Sequence, residues 1–292
     1  MVNATVEGIF NGTIVELFRP PQDNGNGSST GNNGTSPLSN GGSGSPFKII
    51  ILTDKNDDTI GSAQADSIEG LKGDDTIEGR SGGDIIFGNQ DNDSLLGERG
   101  DDSLFGNQDQ DTLLGGDGKD TLWGGKDNDS LLGGEDKDIL YGNFGNDCLY
   151  GDSGDDCLYG GIENDSLLGG EGNDCLYGGQ GNDSLLGGEG DDTLAGDKGS
   201  DTLKGGDGED LFIISKNTGG DSVSKADIII DYNTDENDRI GLINGLRRND
   251  LEFLDTIVAE KDATVIRLRN DPEDFLAIVI GVNEENLDFR TI

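Results

Sequence analysis

GGDGKDTLWGGKDNDSLL, residues 115–132, is two consecutive copies of one nine-residue unit. Written glycine first, the unit reads G-[G/N/D]-x-[G/D]-x-D-[S/T/C]-[L/I]-x. It runs in unbroken phase from Gly61 to Ile213, giving seventeen copies (17 × 9 = 153 residues). Glycine holds position 1 in every copy. Aspartate holds position 6 in every copy: Asp66, Asp75, Asp84, Asp93, Asp102, Asp111, Asp120, Asp129, Asp138, Asp147, Asp156, Asp165, Asp174, Asp183, Asp192, Asp201 and Asp210. Position 8 is always Ile, Leu or Phe, from Ile68 to Phe212. A period this strict means a solenoid in which each unit packs only on its neighbours.

Positions 7–9 are too short for a helix and carry Ser, Thr, Cys, Leu, Ile and aromatics, which predicts a three-residue strand. Positions 1–6 then form the turn, with Gly at positions 1 and 4 supplying left-handed backbone. Position 4 is Gly in eleven units; Gln64, Asp91, Asp109, Asp127, Asp136 and Glu163 are the exceptions. Side chains alternate along a strand, so positions 6 and 8 point one way and 7 and 9 the other. The apolar position 8 fixes the inward side. Position 9 repeats every eighteen residues: Phe87, Phe105, Trp123, Tyr141, Tyr159, Tyr177 in one ladder, and Leu96, Leu114, Leu132, Tyr150, Leu168, Leu186 in the other. Residues eighteen apart are therefore equivalent, and two units make one coil of a two-sheet roll. At about 4.8 Å per strand, eight and a half coils give a rod of roughly 40 Å.

One buried apolar side chain per nine residues offsets little of the backbone entropy lost on ordering. A cation is the missing contribution. Carboxylates and turn carbonyls are the oxygen donors that Ca²⁺ prefers. With no His and only three Cys, Zn²⁺ and Cu are poorly served. The chain carries 60 acidic and 20 basic residues, a net charge of −40, which argues against a nucleic-acid partner. Within 61–213 there are 37 acidic and 8 basic residues, so 37 − 8 = 29 negative charges. Stacked edges of nine and eight turns leave 8 + 7 = 15 inter-turn positions, and fifteen Ca²⁺ would nearly cancel that charge.

Units such as GGDGKDTLW (Gly115–Trp123), GGEGNDCLY (Gly169–Tyr177) and GGQGNDSLL (Gly178–Leu186) match the pattern G-G-x-G-x-D-x-[L/I/F]-x throughout. In this they resemble the RTX (repeats-in-toxin), or haemolysin-type, calcium-binding proteins. The resemblance implies an all-β fold: a right-handed parallel β-roll of two sheets and eighteen residues per coil. It implies Ca²⁺ between stacked turns, up to about 15 ions, with each position-6 Asp supplying a carboxylate and the turns supplying carbonyls. The first unit, GSAQADSIE (Gly61–Glu69), lacks Gly at positions 2 and 4, and Leu71, Arg80 and Glu98 occupy position 2 early in the array. Incomplete occupancy is expected at that end.

The flanks divide as follows. Residues 1–20 form a short N-terminal segment, with Val2–Phe18 alternating enough for a two-strand hairpin. Residues 21–46 are a Gly/Ser/Asn-rich stretch read as a disordered linker. Residues 47–60 read as a leading strand and an imperfect repeat. From 214 to 292 glycine thins out; ADIIIDY (226–232), RIGLI (239–243), TVIRLR (264–269) and FLAIVIGV (275–282) read as strands of a cap that closes the solenoid. This segment resembles the flank following RTX repeats in bacterial, notably cyanobacterial, proteins. Residues 1–20 lack a basic n-region and a continuous apolar h-region, and no transmembrane stretch is present. The resemblance implies export by a type I channel, with an uncleaved C-terminal signal, to an extracellular location.

Catalysis has little basis. Without His there is no Ser-His or Cys-His pair, and no phosphate-binding GxxxxGK[ST] loop occurs, so no enzyme activity is expected. Cys148, Cys157 and Cys175 share position 7; Cys157 and Cys175 stack as neighbours, either bridged or standing in for Ser and Thr. The position-9 ladders either stiffen the sheets or dock a copy of the chain or a cell-surface polymer, as in a calcium-rigidified matrix, surface-layer or adhesion component. A row of Ser and Thr at position 7 (Thr76, Ser94, Thr112, Ser130, Ser166, Ser184, Thr202) offers a weaker match to an ice or mineral binder.

Overall fold

The computed structural model describes residues 9–10, 13–14, 48–215, 225–258, 261–271 and 273–292. The chain divides into two compact units, Met1–Ser36 and Pro37–Ile292. In the first, Ile9–Phe10 and Thr13–Ile14 pair antiparallel with Ile9 opposite Ile14, a hairpin within Val2–Phe18 as expected. The stretch 21–46 lies outside the described residues.

The second unit is an all-β parallel roll with two sheets and eighteen residues per coil. Through the repeats the strands alternate between a 12-stranded and a 13-stranded sheet, so each pairs with the strand two before and two after it. The register is strict: Leu122 lies between Leu104 and Leu140, and Leu131 between Leu113 and Leu149. Position 8 fills the space between the sheets, every residue from Ile68 to Phe212 being at most 2% exposed. Positions 6, 8 and 1 face inward while 7 and 9, Ala195 apart, are half-buried or exposed, the alternation that one apolar residue per unit dictates.

Two expectations about the unit need correction. Most strands of the repeats span six residues, not three, running through positions 7–9 and on into positions 1–3 of the next unit, as in Thr112–Asp117 and Ser130–Glu135. Pairing continues through the glycines because consecutive coils stack in register there, with Gly116 opposite Gly134. The left-handed residues are at positions 2 and 4, not 1 and 4. Gly116 (φ 118°) and Gly118 (φ 131°) show the regular pattern. Leu71 (φ 83°), Arg80 (φ 83°) and Glu98 (φ 75°) hold the same conformation at position 2 without glycine's freedom, a local strain at the N-terminal end of the roll.

The roll begins before Gly61 and continues after Ile213. Lys48–Ile51 and Asp58–Ile60 pair in parallel with Asp66–Lys72 and Thr76–Ser81. Asp227–Ile229 and Arg239–Leu242 pair in parallel with Thr202–Asp207 and Leu211–Ile214. Phe289–Thr291 and Phe275–Ile280 then add one more parallel strand to each sheet. Lys261–Leu268 and Leu251–Val258 complete the 13-stranded sheet as an antiparallel hairpin. Leu251–Val258 and Phe289–Thr291 lie outside the four strands read in the flank sequence. Their polar alternation (LEFLDTIV) and brevity gave a weak signal.

Candidate metal sites

Seventeen position-6 aspartates occupy the corners where turn becomes strand, Asp66, Asp84, Asp102, Asp120, Asp138, Asp156, Asp174, Asp192 and Asp210 on one edge and Asp75, Asp93, Asp111, Asp129, Asp147, Asp165, Asp183 and Asp201 on the other. All are at most 3% exposed. Each backbone N–H donates to the Oδ1 of the aspartate one coil later, at 2.6–3.0 Å, through fifteen links inside the repeats. The carboxylates thus form two continuous ladders, one per edge.

The second carboxylate oxygen has no such partner. In all seventeen aspartates one buried oxygen, Oδ1 in Asp66 and Oδ2 elsewhere, accepts no hydrogen bond from the protein. An orphaned buried carboxylate oxygen is costly unless something positive meets it. Its surroundings supply more acceptors. A Cβ placed on Gly79 would lie 2.5 Å from Asp84 Oδ2 and 3.0 Å from the Gly97 carbonyl oxygen of the next coil. At Gly151 the corresponding oxygens are Asp156 Oδ2 and Gly169 O, both at 2.5 Å. Position 1 is glycine because a side chain would fill this oxygen-lined cradle. Among the described residues no three Asp, Glu or Cys side chains converge, so donors beyond the carboxylates must come from the backbone. That donor set fits a hard cation of flexible coordination.

Burial pushes the carboxyls from Asp75 to Asp210 upward from their ordinary 3.8, and the N–H bond from the preceding aspartate opposes it. Asp111, Asp129, Asp138, Asp165 and Asp192 rise to about 8, and Asp120, Asp147, Asp156 and Asp174 to about 6. A carboxyl whose pKa is raised on folding stabilises the fold when protonated; that stability is complete below about pH 4 and is lost as pH climbs through 6–8. In calcium-free buffer the β signal in far-UV circular dichroism is therefore expected to return on acidification from pH 8 to pH 4. A spectrum unchanged over that range would contradict the burial argument.

Three ladder members are absent from the sequence reading. Asp57 N–H donates to Asp75 Oδ1 at 2.7 Å, Asp201 N–H to Asp227 Oδ1 at 3.1 Å, and Asp210 N–H to Asp238 Oδ1 at 3.0 Å. A second, outer ladder was also missed. Position-5 side chains Asn128, Asn146 and Asn164 accept from the backbone N–H of Asn146, Asn164 and Asn182 at 2.7–3.2 Å. Its signal was the recurrence of Asn or Asp before position 6.

The RTX calcium-binding nonapeptide repeat family matches this chain in eight stretches that together span residues 53–213, more than half its length. The chain belongs to that family. Its RTX repeats form a calcium-binding β-roll. No curated protein matches it. Among solved structures, the solution structure of the AlgE6R3 subunit from the Azotobacter vinelandii mannuronan C5-epimerase is 27% identical, over 46% of this chain and 75% of that one, with a TM-score of 0.18. Among the described residues no helix is long and apolar enough to cross a membrane.

On the outer face of the RTX roll, Phe87, Phe105, Trp123, Tyr141, Tyr159 and Tyr177 stack ring on ring, with centroids 4.3–5.8 Å apart and planes within 13° of parallel. Cys157 and Cys175 lie in register on the same face as free thiols. Burial and the neighbouring Cys157 push the Cys175 thiol up to about 11, which leaves it unreactive at neutral pH.

Proposed function

We propose that the chain is a secreted calcium-binding protein whose position-6 aspartates, Asp66 through Asp210, coordinate Ca²⁺ between stacked turns and whose roll folds on export into calcium-rich medium. The observation that carries this reading is the set of seventeen buried carboxylate oxygens without a donor, most of them beside a position-1 glycine that also faces a carbonyl oxygen of the next coil. Extracellular calcium modules bind at about 10⁻⁴–10⁻³ M, so the sites would be filled outside a cell and empty at cytosolic calcium. An unfolded, strongly acidic chain suits passage through a type I channel, as the family resemblance implies. No catalytic role is assigned to the carboxylates, because every one is locked in the same structural ladder.

Counting bound calcium tests the reading. Equilibrium dialysis at a few millimolar free Ca²⁺ should give on the order of 15 ions per chain, one for each interval in the carboxylate ladders. One or two ions per chain would overturn it, as would equal uptake of Mg²⁺, whose small octahedral shell does not suit carbonyl-rich cradles.

A second reading, a calcium-rigidified matrix or adhesion component, is favoured by the stacked aromatic face. The stacking also restricts it: the ring faces are occupied by one another, so only edges remain for a partner. Replacing Trp123, Tyr141 and Tyr159 by Thr should leave calcium-induced folding nearly intact while abolishing side-by-side association, read by sedimentation velocity in calcium. Association that survives the triple substitution would exclude the aromatic face as its cause.

A further inference from the structure

The carboxylate ladders do not end with the repeats. Asp227 immediately precedes Ile228, which pairs with Thr202, so Asp227 stacks over Asp201. Asp238 immediately precedes Arg239, which pairs with Leu211, so Asp238 stacks over Asp210. Both are buried, at 1% and 3% exposure, and each Oδ1 accepts the N–H of the last repeat aspartate on its edge, as inside the array. Beneath them, Asp201 Oδ2 and Asp210 Oδ2 are unpartnered and at most 1% exposed. They are the same Oδ2 oxygens that stand unpartnered in every repeat aspartate from Asp75 onward.

The flank is otherwise shaped to present these two groups. Asp231 accepts the N–H groups of Gly205 and Gly206 at 3.0 and 3.1 Å, pinning the segment after Asp227 to the last coil. The Tyr232 hydroxyl donates to the Asp238 carbonyl at 2.6 Å and accepts the Asp288 N–H at 3.0 Å. Asn233 N–H donates to Asp238 Oδ2 at 2.7 Å, fixing the carboxylate's rotation. Two carboxylates are thus stacked on each edge, Asp201 with Asp227 and Asp210 with Asp238. Arg239 is engaged with Glu209 and Asp288 at 3.5 Å each.

We propose that Asp227 and Asp238 are calcium ligands that complete the last site on each edge, so that the C-terminal segment is fastened to the roll by ions shared with Asp201 and Asp210. This rests on the reading that the repeat ladders hold Ca²⁺. Calcium would then time the closing of the solenoid: the end is sealed only when the terminal sites fill.

The test uses the full chain with Asp227→Asn and Asp238→Asn, singly and together. Asparagine keeps an oxygen that can accept the Asp201 or Asp210 N–H and removes the charge; at position 238 it also gives up the bond from the Asn233 N–H, so Asp227→Asn is the variant that changes the charge alone. The readouts are ions per chain and hydrogen exchange in Arg239–Leu242 and Phe275–Ile280 during a calcium titration. Each single variant is expected to lose one ion at 1 mM Ca²⁺. The calcium midpoint for protecting the C-terminal strands should rise roughly ten-fold or more, while the midpoint of the bulk β signal barely moves. If the double variant fails to close at 1 mM Ca²⁺, raising calcium should restore protection. An unchanged ion count, or a loss of protection that calcium does not reverse, would overturn the proposal. An unmodified chain that takes up no calcium would instead overturn the underlying reading, which separates the two failures.

Discussion

Transfer of the chain from millimolar calcium to excess chelator at pH 8 is expected to abolish the β signal of the roll. Each edge stacks a carboxylate every coil, about 4.8 Å apart, and residues 61–213 hold 29 more acidic than basic groups. Neighbouring unit charges at that separation repel by about 1 kcal/mol in bulk water and several-fold more where water is excluded. The aspartates are at most 3% exposed, so exclusion is nearly complete. The main apolar counterweight between the sheets is one position-8 side chain per nine residues. A site with an affinity near 10⁻⁴–10⁻³ M contributes about 0.4–1.4 kcal/mol at millimolar calcium. Summed over fifteen ladder intervals this is roughly 6–20 kcal/mol, as large as the whole stability of an ordinary domain. Far-UV circular dichroism and elution volume should change together and recover when calcium is restored. Mg²⁺ at the same concentration should not restore them. A roll that keeps its spectrum in chelator would show that packing alone holds it.

The sequence exposed this arrangement unevenly. Positions 6 and 8 were legible because a phase that never slips admits one placement of carboxylate and leucine, and the structure puts Asp138 and Leu140 on the same inner side. The two-sheet coil was legible from the eighteen-residue alternation of Trp123 and Tyr141 against Leu114 and Leu132. What the period concealed was the reason for each glycine. Composition alone does not distinguish a glycine needed for left-handed backbone, such as Gly118, from one needed for room, such as Gly115. Asp227 and Asp238 were invisible because they follow their ladder neighbours by 26 and 28 residues instead of 18. A ladder is a relation in space; once the chain between its rungs lengthens, the period that announces it is lost. Asp57 was hidden differently: its unit begins with Leu52, not glycine, yet its N–H still reaches Asp75.

Gly151→Ala separates the two kinds of glycine. No left-handed φ is required of Gly151, so alanine costs its backbone little. Its methyl carbon would sit 2.5 Å from both Asp156 Oδ2 and the Gly169 carbonyl oxygen, a separation that side-chain carbons essentially never show. Asp156 is held by its bond from Asp138 at 2.7 Å, and Gly169 by the coil stacked on it, so neither can yield locally. Overpacking of this kind costs typically about 1–3 kcal/mol, and here it displaces two candidate ligands at once. In a one-dimensional array such a break uncouples the coils on either side. The variant is therefore expected to bind fewer calcium ions, to need more calcium to fold and to lose steepness in its titration. Gly281→Ala is the matched control. Gly281 has φ 96° and nothing within 4 Å of the added methyl. That substitution should lower stability by about 1–2 kcal/mol through the backbone alone and leave the ion count unchanged. If both variants lose stability equally and neither loses calcium, position 1 is glycine for its backbone, and the cradle around Asp156 Oδ2 holds no ion.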